Sequence, residues 1–178
     1  MSQPGPTPLT AVALSAMDRD AFVAALDGIV EHTSWATERA WAARPFADRA
    51  ALHAAIFAAI VQASAEEQLE LLRQHPELAG RAAIANTLTA ESTQEQDRAG
   101  LRNCSPEEYA QLTALNDAYG KRFGHPFIVA VTGMNRQQVM ALFAQRLQND
   151  PDTERMEALK QVGRIIGIRL DERVAGNA

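Results

Sequence analysis

His75 is the residue of this sequence whose type and position best suit proton chemistry. It ends a stretch with helical spacing, stands directly before Pro76 and precedes Glu77 by two residues. Imidazole titrates near neutral pH, and a following proline restricts the backbone on its N-terminal side. The same pattern also describes a histidine that only bonds the last carbonyls of a helix. The residues alone leave open whether His75 is catalytic or only ends a helix. Glu77 is interpreted as a solvated loop carboxylate.

A second candidate is the run ESTQEQ, residues 91–96. Ser92 followed three residues later by Glu95 has the form of a capping box, which predicts that a helix begins at Ser92. N–H groups at a helix N-terminus can also bind an anionic or carbonyl-rich ligand. A helix start of this kind can serve both purposes, so the pattern by itself does not assign a function.

A third candidate is Arg169 on the last predicted helix. Leu159, Val162, Ile166 and Leu170 define the buried face of that helix. At roughly 100° per residue, Arg169 lies about 60° from the centre of this face, whereas Arg164 points away from it. Because an unpaired guanidinium in a core is costly, we expect Arg169 to have a partner.

Other kinds of site lack support in the sequence. The four histidines, His32, His53, His75 and His125, form no H-x-x-x-H or H-E-x-x-H pair, so a metal is not expected. There is no glycine-rich phosphate loop and no G-x-S-x-G motif. Cys104 has no evident activating base nearby, which argues against a thiol nucleophile.

Length and composition place limits on the class of protein. The 178 residues are 47% hydrophobic and 22% charged, which favours a folded domain. A net charge of −5 argues against a nucleic-acid partner, and no apolar run is long enough to span a membrane. The lone cysteine fits a reducing compartment. The start MSQPGPTPLT does not resemble a signal peptide and the end VAGNA carries no peroxisomal address, so we expect a cytoplasmic protein.

Apolar spacing and helix start signals, among them capping-box patterns at Ser64–Glu67 and Ser105–Glu108, predict an all-α, single-domain bundle of about eight helices. Residues 1–12 are predicted to be a flexible lead-in and residues 13–178 the helical domain. The segment PFIVAVTG, residues 126–133, is strand-like but has no partner strand, so we expect one short, extended and buried connection. The helices are predicted near residues 18–31, 35–43, 48–62, 65–74, 93–99, 105–123, 135–148 and 151–174.

Four stretches, taken together, resemble a known family. They are HPELAGRAA from His75, LTAESTQEQDRAGL from Leu88, LNDAYGKRFGHPFIVAVTG from Leu115 and RIIGIRLDERV from Arg164. In this order and spacing they resemble the 2-oxo-4-hydroxy-4-carboxy-5-ureidoimidazoline (OHCU) decarboxylases. The resemblance implies a cofactor-free, all-helical, dimeric enzyme that performs the last step of urate oxidation, giving (S)-allantoin and carbon dioxide.

The resemblance also implies roles for particular residues. His75 matches the catalytic histidine, regarded as the proton donor, and Glu95 belongs to the S-x-x-E-Q segment that contacts the substrate. Arg169 matches an arginine that faces the ligand, and His125 stands where many members have phenylalanine. The remaining implied substrate contacts are Pro76, Ser92, Gln96 and the segment Phe127, Ile128, Val129, Ala130 and Val131.

The chemistry that the resemblance implies requires no external electron sink. Loss of carbon dioxide leaves an electron pair that the conjugated ring of the substrate can delocalise, so the protein supplies orientation, electrostatic stabilisation and one proton. Two alternatives stay open: a helical interaction module without activity, and a decarboxylase or hydrolase of another ureido-substituted ring.

Overall fold

Helices are the regular secondary structure of the computed structural model, which describes residues 9–80, 88–101 and 104–176. Within these ranges no β-strand forms, and the all-α prediction is confirmed. None of the described helices combines the length and the apolar composition needed to cross a membrane. Nine α-helices are described: α1 (Ala11–Ser15), α2 (Arg19–Ala25), α3 (Ser34–Ala40), α4 (Arg49–Val61), α5 (Ala65–Arg73), α6 (Ala90–Arg98), α7 (Pro106–Phe123), α8 (Arg136–Arg146) and α9 (Pro151–Arg173).

Most helix boundaries follow the capping chemistry of the sequence. The predicted capping boxes Ser64–Glu67 and Ser105–Glu108 are both complete, and Asn135 forms a third with Gln138. At the other end, α7 stops at Gly124, whose φ of 75° lies in the left-handed region that favours glycine.

Three of the predicted boundaries near the N-terminus need correction. The short helix α1, capped by Thr10, was not predicted, and it begins inside the predicted lead-in, most of which lies outside the described residues. The helix predicted over 18–31 ends at Ala25, because the chain turns at Gly28 with a φ of 78°. The third helix ends at Ala40 and continues as a 3₁₀ turn over Trp41–Ala43.

The chain forms two compact units. The first comprises Met1–Ala63 and Ile166–Ala178. Its described helices are α1 to α4 and the end of α9, with α3 packed on α2 and α4. Phe22 and Phe46 stack in its interior with ring centroids 5.8 Å apart. Its two ends are joined where the Ala175 N–H donates to the Leu9 carbonyl over 2.8 Å.

The second unit spans Ser64–Ile165 and contains the predicted catalytic histidine. Its hydrophobic core is built largely from α7, α8 and the segment between them. Tyr119 on α7 is fully buried, and the rings of Phe127 and Phe143 stack with centroids 4.0 Å apart. Tyr109, one of two tyrosines on α7, is by contrast 37% exposed.

Candidate active site

His75 is held by the end of the helix that precedes it. Helix α5 ends at Arg73, and the imidazole is buried, with Nδ1 3.0 Å from the carbonyl oxygen of Leu71. A carbonyl can only accept, so Nδ1 carries a hydrogen and Nε2 is the nitrogen that can gain or lose a proton. The helix-end interpretation is therefore confirmed, and it fixes the ring orientation that proton transfer would require.

The loop after His75 makes a tight turn. Ala79 has a φ of 48°, in the left-handed region that non-glycine residues rarely adopt. A Cβ atom added to Gly80 would lie 2.5 Å from the Cβ atom of Glu77, so only glycine fits that position without movement. Leu78 and Ala79 are buried, whereas Glu77 is exposed, in agreement with its interpretation as a solvated carboxylate.

Helix α6 carries the predicted substrate contacts Ser92, Glu95 and Gln96, but its start differs from the prediction. Thr89 is the N-cap, and its hydroxyl oxygen accepts from the Ser92 N–H over 3.2 Å. The Ser92–Glu95 capping box is therefore wrong, because the equally suitable threonine three residues earlier caps the helix instead. Ser92 and Gln96 lie one turn apart and are buried, while Glu95 is partly exposed.

The structure brings α6 and the His75 loop together through the side-chain amide of Gln96. Its Oε1 accepts from the Ala79 N–H over 3.0 Å, and its Nε2 donates to the Glu77 carbonyl over 3.4 Å. A second amide, Asn116 on α7, donates from Nδ2 to the Leu78 carbonyl over 3.0 Å. Asn116 is itself buried, on the helix face that also carries Leu112 and Tyr119.

The segment Phe127 to Val131 is buried without forming a strand, as predicted. Phe127, Ile128, Val129 and Val131 are each at most 6% exposed, and Ala130 is partly buried. Side chains satisfy its backbone: Gln161 Oε1 accepts from the Ala130 N–H over 3.1 Å, and Arg146 Nη1 donates to the Ile128 carbonyl over 2.7 Å. These bonds replace the ladder that a sheet would supply.

A buried ionic network supports this segment. Glu154 is fully buried, and its Oε1 accepts from Arg146 Nε over 2.8 Å and also from the Tyr119 hydroxyl. Asn149 Nδ2 donates to its other oxygen over 2.6 Å. Burial and the bond to Glu154 raise the pKa of Tyr119 well above its ordinary value, so the phenol remains a donor.

Sequence reasoning missed this network. Glu154 stands in the first turn of α9, where a carboxylate ordinarily faces solvent and interacts with the helix dipole. The available signal was its position seven residues before Gln161, which places both on the same helix face, and both are buried.

His125, which stands where the resemblance pointed to phenylalanine, packs beside the same network. Its ring meets that of Tyr119 edge-on with centroids 5.5 Å apart, and its Nδ1 lies 2.9 Å from the Pro126 carbonyl. Burial lowers the pKa of His125 below its ordinary value.

Arg169 lies in the first unit. It is buried, and its Nη1 donates to Glu31 Oε2 and to the Gly28 carbonyl, each over 2.9 Å. The expectation that a core-facing arginine has a partner is confirmed. That partner, Glu31, gave no signal in the sequence. In the part of the chain that the structure describes, no three His, Cys, Asp or Glu side chains come together as metal ligands.

Comparison with known proteins identifies the family to which the chain is similar. The family model for OHCU decarboxylase matches residues 15–171. The 2-oxo-4-hydroxy-4-carboxy-5-ureidoimidazoline decarboxylase of Haloferax volcanii is 38% identical over 165 residues, covering 93% of this chain and 96% of the relative. The uric acid degradation bifunctional protein PucL of Bacillus subtilis is 36% identical over 157 residues, but the chain spans only 31% of its length.

Solved structures show the same fold. A crystal structure of (S)-allantoin synthase aligns with a TM-score of 0.74 at 28% identity, covering 94% of this chain and 54% of that one. A crystal structure of OHCU decarboxylase in the presence of (S)-allantoin aligns with a TM-score of 0.64 over 81% of this chain and 93% of that one; at 17% identity it supports the fold alone.

The all-α fold and the sequence matches define the class of protein as a small helical decarboxylase. The chain belongs to the OHCU decarboxylase family, as the match over residues 15–171 shows.

Proposed function

We propose that this protein decarboxylates 2-oxo-4-hydroxy-4-carboxy-5-ureidoimidazoline to (S)-allantoin and carbon dioxide, the last step of urate oxidation. Family membership and relatives of nearly equal length that carry this name support the proposal. The observation that carries it is the position of His75, whose Nδ1 is fixed by the Leu71 carbonyl at the end of α5. This bond leaves Nε2 as the proton-exchanging atom of a buried, oriented ring.

The reaction needs one bond broken and one proton delivered. The bond between the ring carbon and the carboxylate breaks, carbon dioxide leaves, and the electron pair is delocalised into the imidazoline. A proton then adds from one face to the neighbouring carbon that bears the ureido group. The hydroxyl proton moves to the ring nitrogen, so the carbon that lost the carboxylate becomes a carbonyl carbon of allantoin. In our proposal His75 Nε2 exchanges the proton that adds to the ureido-bearing carbon, and its fixed ring sets which enantiomer forms.

The other predicted site residues are proposed to bind and orient the substrate. Glu95, partly exposed on α6, would accept from ureido or ring N–H groups, and buried Ser92 would donate to a carbonyl or carboxylate oxygen. Pro76 and the segment Phe127 to Val131 would supply apolar and backbone contacts. The role of Arg169 as a substrate contact rests on the resemblance, and its ion pair with Glu31 would fix its guanidinium.

The test generates the substrate in place from urate with a urate oxidase and the hydrolase that follows it. This protein is then added, and circular dichroism follows the appearance of allantoin. We expect a fast signal of one sign, because a single enantiomer forms. A signal no faster than the control without enzyme, with racemic product, would reject the function and lead to a panel of other ureido-substituted rings.

Two His75 variants test its role. His75→Ala removes the ring, whereas His75→Asn places an amide N–H near the position of Nδ1 and so preserves a donor to Leu71 without a titratable nitrogen. We expect both to remain folded and to lose at least about 10²-fold in kcat, the lower end of the usual contribution of a general acid or base. Activity in either variant near that of the wild type would refute the assignment.

Three further proposals concern the protein as a whole. We propose that it is a homodimer, on the resemblance, and light scattering coupled to gel filtration would report twice the chain mass. We propose a cytoplasmic location, supported by the free Cys104, and cell fractionation tests it. We propose that residues 13–178 act as one catalytic domain, supported by a family match that spans both units, and limited proteolysis should yield one resistant fragment.

A further inference from the structure

Two side-chain amides hold three successive residues of the loop that follows His75. Gln96 on α6 bonds the Ala79 N–H and the Glu77 carbonyl, and Asn116 on α7 bonds the Leu78 carbonyl between them. We name these three hydrogen bonds the amide clamp. The bonds come from two different helices, so the clamp fixes the loop against both.

The loop needs such a restraint. Ala79 is held at a φ of 48°, a conformation that persists only when the surroundings enforce it. Gly80 cannot accept a side chain without displacing Glu77, so the turn has little room to adapt. The turn runs from Glu77 to Gly80, closed by a bond from the Gly80 N–H to the Glu77 carbonyl, and only Pro76 separates it from His75, so a loop that relaxed would carry Pro76 with it.

Asn116 fulfils this role at a cost to stability. Its Oδ1 is buried, and the described residues offer it no hydrogen-bond donor. The orientation of the amide is fixed, because the Leu78 carbonyl can only accept and must therefore face Nδ2. A buried acceptor without a partner destabilises the folded state, so leucine at this position would remove that penalty. A polar residue kept where an apolar one would pack indicates function.

We propose that Asn116 is a positioning residue that acts on the decarboxylation through His75, with Gln96 completing the clamp. This inference rests on the proposed function. It gives Gln96 a structural task in addition to any substrate contact. Asn116 itself does not touch the reacting atoms: it sets the position of the loop and so the direction from which the imidazole meets the substrate.

The experiment compares Asn116→Leu with Gln68→Leu. Gln68 is a second buried amide in the same unit, and its Oε1 accepts from Arg155 rather than from the loop. For Asn116→Leu we expect a Tm close to that of the wild type, because the variant removes the unpaired Oδ1 but also removes the donor to the Leu78 carbonyl. We also expect kcat lower by about tenfold or more with KM little changed, and allantoin of reduced enantiomeric excess. For Gln68→Leu we expect a lower Tm and an unchanged kcat.

Hydrogen exchange at the Ala79 amide supplies a readout that does not depend on activity. Loss of one loop hydrogen bond should raise its exchange rate about five- to tenfold in Asn116→Leu and leave it unchanged in Gln68→Leu. If Asn116→Leu does not fold, Asn116→Asp retains the size and removes the donor to Leu78, and the same rise and the same loss of kcat are expected.

The outcomes separate the clamp from the proposed function. A wild-type enzyme that does not accelerate allantoin formation rejects the function, and the exchange rate then decides the clamp alone. An unchanged exchange rate, or a kcat equal to that of the wild type, overturns the inference. If kcat falls and the Tm of Asn116→Leu also falls well below that of the wild type, the lost activity follows from lost stability, and Asn116 is only structural.

Discussion

The buried pair of Arg146 and Glu154 provides the sharpest stability prediction. Arg146→Met keeps most of the side-chain length and removes the charge. Glu154, with no exposed surface, would retain the Tyr119 hydroxyl and the Asn149 amide as donors but lose its counter-ion. The Ile128 carbonyl would also lose its donor. The variant therefore leaves a buried charge uncompensated and frees one end of the proposed substrate-binding segment.

The size of the effect follows from this burial. Removing one partner of a buried ion pair costs about 3–5 kcal/mol. With an unfolding entropy of roughly 2.1 cal/mol/K per residue, a chain of 178 residues loses about 2.7 °C of Tm per kcal/mol. The predicted drop in Tm for Arg146→Met is thus about 8–13 °C.

Calorimetry of matched variants measures this drop. Arg19→Met breaks an ion pair with Glu38 in which the arginine side chain is 56% exposed, so its Tm should change by a few degrees at most. The double variant Arg146→Met with Glu154→Gln should recover part of the loss, because no buried charge remains unpaired. If Arg146→Met melts within a few degrees of Arg19→Met, the reasoning about the buried network is wrong.

Two further predictions concern the turn after His75 and the ring beside Tyr119. Gly80→Ala should cost about 1–3 kcal/mol, because the new methyl group would meet Glu77, whereas Gly120→Ala, with no heavy atom within 4 Å, should stabilise α7 by about 0.5–1 kcal/mol. Burial lowers the pKa of His125 below its ordinary value of 6.5, so near that pH the unfolded chain binds more protons than the folded one. The free energy of unfolding should therefore decrease as the pH falls through 6.5, and His125→Phe should remove that part of the decrease.

Urea unfolding curves measure all of these effects. Equal stability changes in Gly80→Ala and Gly120→Ala would contradict the tight turn. For His125, unfolding curves of the wild type and of His125→Phe are compared at pH 5.5 and at pH 7.5. These two values lie on either side of 6.5, the ordinary pKa of histidine. If the free energy of unfolding changes by the same amount between the two pH values in both proteins, His125 does not contribute to the pH dependence of stability.

Local signals in the sequence were sufficient for most of the fold. Capping boxes at Ser64 and Ser105, each with its glutamate three residues on, predicted helix starts that the structure confirms. Apolar spacing identified the buried face of α9 and placed Arg169 on its buried side. Where two equivalent signals competed, local reasoning failed: Thr89 rather than Ser92 caps α6, and no local rule chooses between them.

The candidate site, like the fold, has features that the sequence predicts and features that only the tertiary structure shows. The type of His75, the proline after it and the family resemblance can be read along the chain, because they depend on neighbours in sequence. The partners that fix its loop cannot be read in this way, because Asn116 meets the carbonyl of Leu78 from 38 residues away and Gln96 accepts from the Ala79 N–H across 17 residues. A hydrogen bond depends on distances of a few ångströms between groups that sequence spacing does not relate. The sequence by itself thus determined that His75 is the candidate for moving the proton, and only the tertiary structure decided what holds its loop, because that depends on which polar groups the packed helices bury against each other.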